Sequence, residues 1–146
     1  MSWRMLEEQN PELAAFGKQR LNGKVAYLAT VRDDGSPRVH PVTPIVGEGR
    51  LFVFMEPTSP KGRDIQRDGR FALHCSVSDN SGESGEFYVL GRAQLVDSAE
   101  QRALAVSLSS YAPADRYILF EFAIDQAAST TYADSGPVRM RWTSER

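Results

Sequence analysis

The chain has 146 residues, 41% of them hydrophobic and 25% charged, with a net charge of −2. This describes one globular domain, long enough to bury roughly two-thirds of its unfolded surface without a disulfide or metal to hold the core. The slightly acidic balance excludes a dedicated nucleic-acid binder, and no apolar run approaches the ~20 residues of a membrane helix. Residues 10–21 read as the first helix: Asn10 caps it, Pro11 suits its first turn and Asn22-Gly23 ends it. Its apolar stripe of Leu13, Phe16 and Leu21 is modest, as for a helix lying over a sheet.

Strands are expected next, at 24–31 and 38–46, joined by the turn Asp33-Asp34-Gly35-Ser36. Residues 51–55 are almost continuously apolar, as in a buried strand. After the breaker stretch 56–60, residues 61–67 suit a short helix. Strands at 71–77 and 87–96 flank a surface loop rich in Ser, Gly, Asp and Glu at 78–86. Ser98-x-x-Gln101 resembles a capping box opening a helix through Leu108. The last strands are expected at 117–124, 130–133 and 138–142, the final pair joined by Asp134-Ser135-Gly136-Pro137. Eight short strands in hairpin succession predict a mainly β fold, an antiparallel β-barrel with peripheral helices, because closure removes exposed edges. One domain spans 1–146, with a helical N-terminal segment at 1–22. The opening residues lack the basic-then-apolar pattern of a secretion signal, so a cytoplasmic location is expected.

Much chemistry is excluded by inventory. There are two histidines, His40 and His74, and one cysteine, so neither a three-histidine zinc site nor a Cys-x-x-Cys pair can form. Cys75 follows Phe71, Ala72 and Leu73 and reads as a buried small hydrophobe. No Gly-x-Ser-x-Gly elbow, phosphate-binding loop or dinucleotide fingerprint occurs. Redox or transfer chemistry would therefore need a bound organic cofactor.

The most informative segment is Thr58-Ser59-Pro60-Lys61-Gly62-Arg63-Asp64. Two hydroxyls and two cations stand at the start of a helix, where N–H groups and the positive end of the helix dipole favour an anion. The alternative is a solvated loop whose cations balance Asp64 and Asp68. Arg38 and His40 share a strand face with Val42, and Arg38 either reaches solvent or joins Lys61 on the same anion. Pro41 and Pro44 remove two donors from this strand, so it is not expected to pair fully on both sides.

With these residues in view, a resemblance is evident. Gly35-Ser36-Pro37-Arg38-Val39, then Ser59-Pro60-Lys61 with 67–73, then 85–93, resembles the pyridoxamine 5'-phosphate oxidase-like flavin-binding split barrels. The closing 138–142 is similar to the end of actinobacterial-type members, and the likeness covers about residues 20–143. The family resemblance implies a split barrel, a homodimer with flavin sites at the subunit interface, and FMN or a related deazaflavin as cofactor. Carried over by position, Ser59 and Lys61 would hold the FMN phosphate with Arg38 assisting. The main chain of Pro41, Val42 and Thr43 would line the ring system, with Phe54 and Met55 beside the ring or ribityl chain. Glu86 stands where oxidases often have a flavin-contacting glutamine, and Trp142 would close the pocket. Two departures separate this chain from true pyridoxamine phosphate oxidases: Thr43 stands near a substrate lysine position, and Arg139-Met140-Arg141 lacks the histidine of an Arg-x-His motif. The resemblance thus implies an FMN-binding oxidoreductase with a small organic substrate and no metal. A non-catalytic flavin carrier and a haem-binding barrel, with His40 or His74 on iron, are the alternatives.

Overall fold

A computed structural model describes residues 2–144; Met1 and the last two residues lie outside the described residues, and with them the ends of the expected 1–146 domain. The N-terminal segment forms two helices, α1 (Trp3–Gln9) and α2 (Pro11–Leu21), where one was expected from the capping signals. The second starts as its sequence dictates, with Asn10 Oδ1 accepting a hydrogen bond from the Leu13 N–H at 3.2 Å. The first carries no side-chain cap and is held by burying Trp3 and Leu6, a tertiary cause that its local sequence does not announce.

The strands are β1 (Ala26–Val31), β2 (Pro37–Val42), β3 (Ile45–Gly47), β4 (Arg50–Met55), β5 (Arg70–Cys75), β6 (Glu86–Val96), β7 (Ile118–Ala133) and β8 (Gly136–Thr143). The helices α3 (Pro60–Arg67) and α4 (Ala99–Leu108) complete the chain. Two strand expectations are corrected. The strand expected at 38–46 is broken at Thr43-Pro44 into β2 and β3, since Pro44 cannot donate to a ladder. The strands expected at 117–124 and 130–133 are one long strand, β7, which passes through Asp125 and Gln126 at a register shift opposite Leu90 and Gly91.

Every pairing is antiparallel, in the order β2-β1-β5-β6-β7-β4-β3, with β8 on β7. The two ends of this order, β2 and β3, are consecutive in the chain, so the Thr43-Pro44 corner curls the sheet on itself. Among the described residues β2 and β3 do not pair, and the barrel is split at that seam. One edge of β2 therefore keeps free main-chain groups.

The core explains the apolar run of β4. Leu51, Val53 and Met55 face the main cluster with Leu28, Leu73, Phe120 and Phe122. Phe52 and Phe54 face a second cluster with Ile45, Ala105 and Leu119, under α4. Each such side chain contributes about 1.5–3 kcal/mol by leaving water. The helix α2 lies on the barrel end at Gly17, where a Cβ would stand 2.4 Å from the Phe87 ring. No helix is long and apolar enough to cross a membrane among the described residues.

Candidate functional site

The seam and the start of α3 meet. A cleft of about 310 Å³ is lined by Pro41, Val42 and Thr43 of β2 and its corner, Phe54 and Glu56 from the end of β4, Lys61 of α3, and Tyr111 and Tyr117. Five residues expected to bind a cofactor are thus brought together: Pro41, Val42, Thr43, Phe54 and Lys61. The other five stand differently.

Ser59 is the N-cap of α3. Its Oγ accepts from the Gly62 N–H at 3.1 Å and donates to the Glu56 carbonyl at 2.7 Å. Its one hydroxyl proton is thus directed inward, and the side chain fixes where α3 begins. Gly62 permits that tight start, since a Cβ there would lie 2.8 Å from the Glu56 carbonyl oxygen. Lys61, two residues after the cap, is held at the cleft and has no hydrogen-bond or ion-pair partner among the described residues.

Arg38 and Asp64 decide the electrostatics behind Lys61. Asp64 is only 3% exposed, yet it stays ionised. Burial alone would raise its pKa, but hydrogen bonds from Thr30 Oγ1 (2.7 Å), Arg38 Nε (2.8 Å) and Arg67 Nη2 (2.9 Å) hold it below the usual carboxylate range. Arg38 spends only its Nε on this bond, and its terminal amino groups have no partner among the described residues. The alternative of Lys61 and its neighbours balancing Asp64 and Asp68 in solution does not describe this arrangement. Asp64 is taken by Arg38 and Arg67, Asp68 is taken by Arg70, and Lys61 is left over. His40, on the Arg38 face of β2, has its pKa lowered by burial and then by the Lys61 and Arg38 charges. These neighbours favour the neutral imidazole.

Met55 points the other way from Phe54 and is buried in the main core. Glu86 lies at the start of β6, where its carboxylate accepts from His74 Nε2 at 3.3 Å, and it lines a separate 180 Å³ cleft with Tyr132 and Arg139. Trp142 is buried in the main core, its indole N–H donating to Gln9 Oε1 at 2.7 Å. Within one chain, neither Glu86 nor Trp142 lines the Lys61 cleft.

Three lining residues were not expected from the sequence. Glu56 is tied to Arg116, Nη2 to Oε1 at 2.5 Å, so its charge is already matched. Tyr111 and Tyr117 come from the connection between α4 and β7. Arg102 of α4 holds that connection through the carbonyls of Ala114, Asp115 and Tyr117 and stacks over Phe54, 5.1 Å from its ring centre. Two tyrosines within a polar nine-residue loop were the available signal. The cleft can hold an anion at Lys61 and flat apolar surface against Phe54 and the tyrosines.

Comparison with curated proteins finds no match. Among solved structures the chain is similar to a haem-binding protein from Mycobacterium smegmatis, at 17% identity and TM-score 0.69, over 88% of this chain and 57% of that one. It therefore spans little more than half of that protein. It is also similar to a NimC/NimA family protein from Clostridium acetobutylicum (18% identity, TM-score 0.67, covering 95% and 96% of the two chains). A third likeness is to PhzG from Burkholderia lata 383 (15%, 0.67, 97% and 87%). At these identities the likeness establishes the fold, an antiparallel split barrel. Residues 11–130, most of the chain, match the family described as pyridoxamine 5'-phosphate oxidase, and the chain belongs to that family.

Proposed function

We propose that this chain binds FMN in the Lys61 cleft and is a flavin-dependent oxidoreductase acting on a small organic molecule. The supporting observation is Lys61 itself: a cation held at a cleft, beside a capped helix start, with every nearby carboxylate already taken. A phosphate there gains a direct charge contact from Lys61, the free amino groups of Arg38 and the positive end of α3. Ser59 supports this indirectly by fixing the helix start, unless its hydroxyl turns from the Glu56 carbonyl to the anion. Phe54 offers a flat wall, and the Pro41–Thr43 main chain lies at the split edge, where β2 pairs with β1 on one side only. When bound, the flavin would supply the two-electron chemistry, for which the chain has no group of its own. The residues here bind, orient and exclude water; none is assigned a proton-transfer role.

At 310 Å³ the cleft is near the low end of the ~300–1,000 Å³ typical of ligand pockets, and it is open to one side. A second copy of the chain, closing that side in a cytoplasmic homodimer, completes the proposal. Glu86 and Trp142 would then meet the flavin only across the interface.

Titration of the purified chain with FMN, followed by flavin fluorescence, tests the reading. Lys61→Ala is expected to weaken binding at least ~10-fold, the loss of one charge-assisted contact. Unchanged affinity, or no binding by the wild-type chain, overturns it. Titration with a deazaflavin decides between the two cofactors, and reduction by nicotinamide donors separates an enzyme from a carrier. A haem-binding reading draws on the Mycobacterium smegmatis neighbour. It needs His40 or His74 on iron, and His74 already contacts the Cys75 carbonyl and Glu86. A Soret band that survives both histidine substitutions would remove that proposal.

A further inference from the structure

The opposite end of α3 carries a second basic cleft that the flavin reading does not use. It is about 410 Å³ in volume, and its walls include Arg32, Arg67, Arg70 and Arg92 against two carboxylates, Asp33 and Asp68. It shares no lining residue with the Lys61 cleft. From Lys61 to Arg67 the helix rises roughly 9 Å, so the two clefts are close but separate.

The four guanidinium groups come from four elements: the β1–β2 turn, the last turn of α3, β5 and β6. Two of them are committed. Arg67 donates to Asp64 and to the Val31 carbonyl, and Arg70 grips Asp68 through both Nε and Nη2, at 3.1 and 2.7 Å. Asp68 is held at a pKa of about 2, chiefly by those Arg70 bonds. Arg32 and Arg92 make no side-chain hydrogen bond or ion pair among the described residues; they act on Asp34 and Asp68 only through longer-range attraction.

Arg92 is also misplaced for stability. It stands directly opposite Arg70 in the β5–β6 ladder, a register that sets like charges on one face of the sheet and disfavours pairing. Asp68 neutralises only one of the two. Four arginines at this cleft thus face two lining carboxylates, Asp33 and Asp68, and the side chains of Arg32 and Arg92 are left without a hydrogen bond or ion pair among the described residues.

We propose that this cleft binds a diphosphate group, free or carried by a small molecule. Arginine forks match phosphoryl oxygens in pairs, and the unpaired forks of Arg32 and Arg92 come from different elements, the β1–β2 turn and β6. Two linked phosphoryl groups would offer each of these forks its own acceptors. The site is independent of the flavin reading and would remain if that reading failed.

The test is calorimetric titration of the full chain with inorganic pyrophosphate, with Lys61→Ala present throughout to silence the first cleft. Saturable binding is expected in that background. Adding Arg32→Gln and Arg92→Gln, both at exposed positions, is expected to weaken it at least ~10-fold while the melting temperature holds. Tighter binding of a nucleoside diphosphate than of pyrophosphate would assign the group to a nucleotide; the reverse would assign it to the free anion. Absence of binding in the Lys61→Ala chain, or equal binding after both arginines are replaced, overturns the proposal.

Discussion

Asp64 is the residue on which three elements close. Its carboxylate takes hydrogen bonds from β1 through Thr30, from β2 through Arg38 and from α3 through Arg67, all in a site that is 3% exposed. Removing a buried ionic partner typically costs about 3–5 kcal/mol, because the remaining charges stay desolvated. Asp64→Asn should lose stability of that order at neutral pH, measured by urea denaturation. The pH dependence follows from the sign of the shift. A carboxylate whose folded pKa lies below its unfolded value of 3.8 stabilises the fold above that value and stops doing so as pH falls through the folded one. The wild-type chain should therefore lose stability through this group as the pH falls through and below the usual carboxylate range, and the Asn variant should lack that part of the dependence. Wild type and variant with parallel pH profiles would contradict the ionised, buried assignment. In the sequence, Asp64 sits among Lys61, Arg63 and Arg67 and reads as a solvated charge. Its burial depends on where β1 and β2 pass α3, which no local pattern encodes.

At the scale of elements, the caps and turns were legible because their causes are local. Asn10 and Ser98 each accept from the N–H three residues on, as their spacing announced, and Ser59 does the same at a helix start where no cap was expected. The long β7 was not legible, because Asp125 and Gln126 interrupt its apolar pattern. The interruption is a bulge: Leu90 pairs with Gln126 and Gly91 with Ile124, leaving Asp125 as the extra residue. Gly91 is required there, since a Cβ would fall 1.9 Å from the Ala123 carbonyl oxygen, which is main chain and cannot swing away. Gly91→Ala should destabilise the fold by about 1–3 kcal/mol, the usual cost of forcing extra volume into a packed site. Hydrogen exchange should show the loss concentrated in the β6–β7 ladder. Exchange that accelerates evenly, or a variant as stable as wild type, would mean that the bulge relaxes without strain. Five residues of the cofactor cleft were expected, not all from local pattern. The residues themselves marked the proline-interrupted strand and the basic helix start at Lys61, while Val42, Thr43 and Phe54 came from the family resemblance carried over by position. Tyr111 and Tyr117 reach the cleft because Arg102 anchors their loop, a contact between elements with no signature in the loop itself.

At the scale of the molecule, the outer face of β1 and β2 is left apolar. Tyr27 is 46% exposed and Val39 is 64% exposed, beside exposed Val25 and Pro41. The ladder sets Tyr27 opposite Pro41 and Ala29 opposite Val39, so these side chains form one surface rather than scattered points. Pro41 belongs both to this surface and to the cofactor cleft, which ties the two together. A body seated on the β1–β2 face would touch Pro41 at the rim of the cleft. The proposed second copy would bring two such faces together by a two-fold contact and cover both clefts by one operation. Val39→Asp places a charge in the middle of that contact at a position already in solvent, so the monomer should fold with its melting behaviour little changed. Sedimentation velocity should show a dimer for the wild-type chain and a monomer for the variant. FMN affinity should fall with it, although Val39 does not line the cleft, since the open side would no longer be covered. A wild-type chain that sediments as a monomer while binding FMN tightly would show that one subunit holds the cofactor alone. A dimer unaffected by Val39→Asp would move the contact to another face and remove the link between assembly and the cleft.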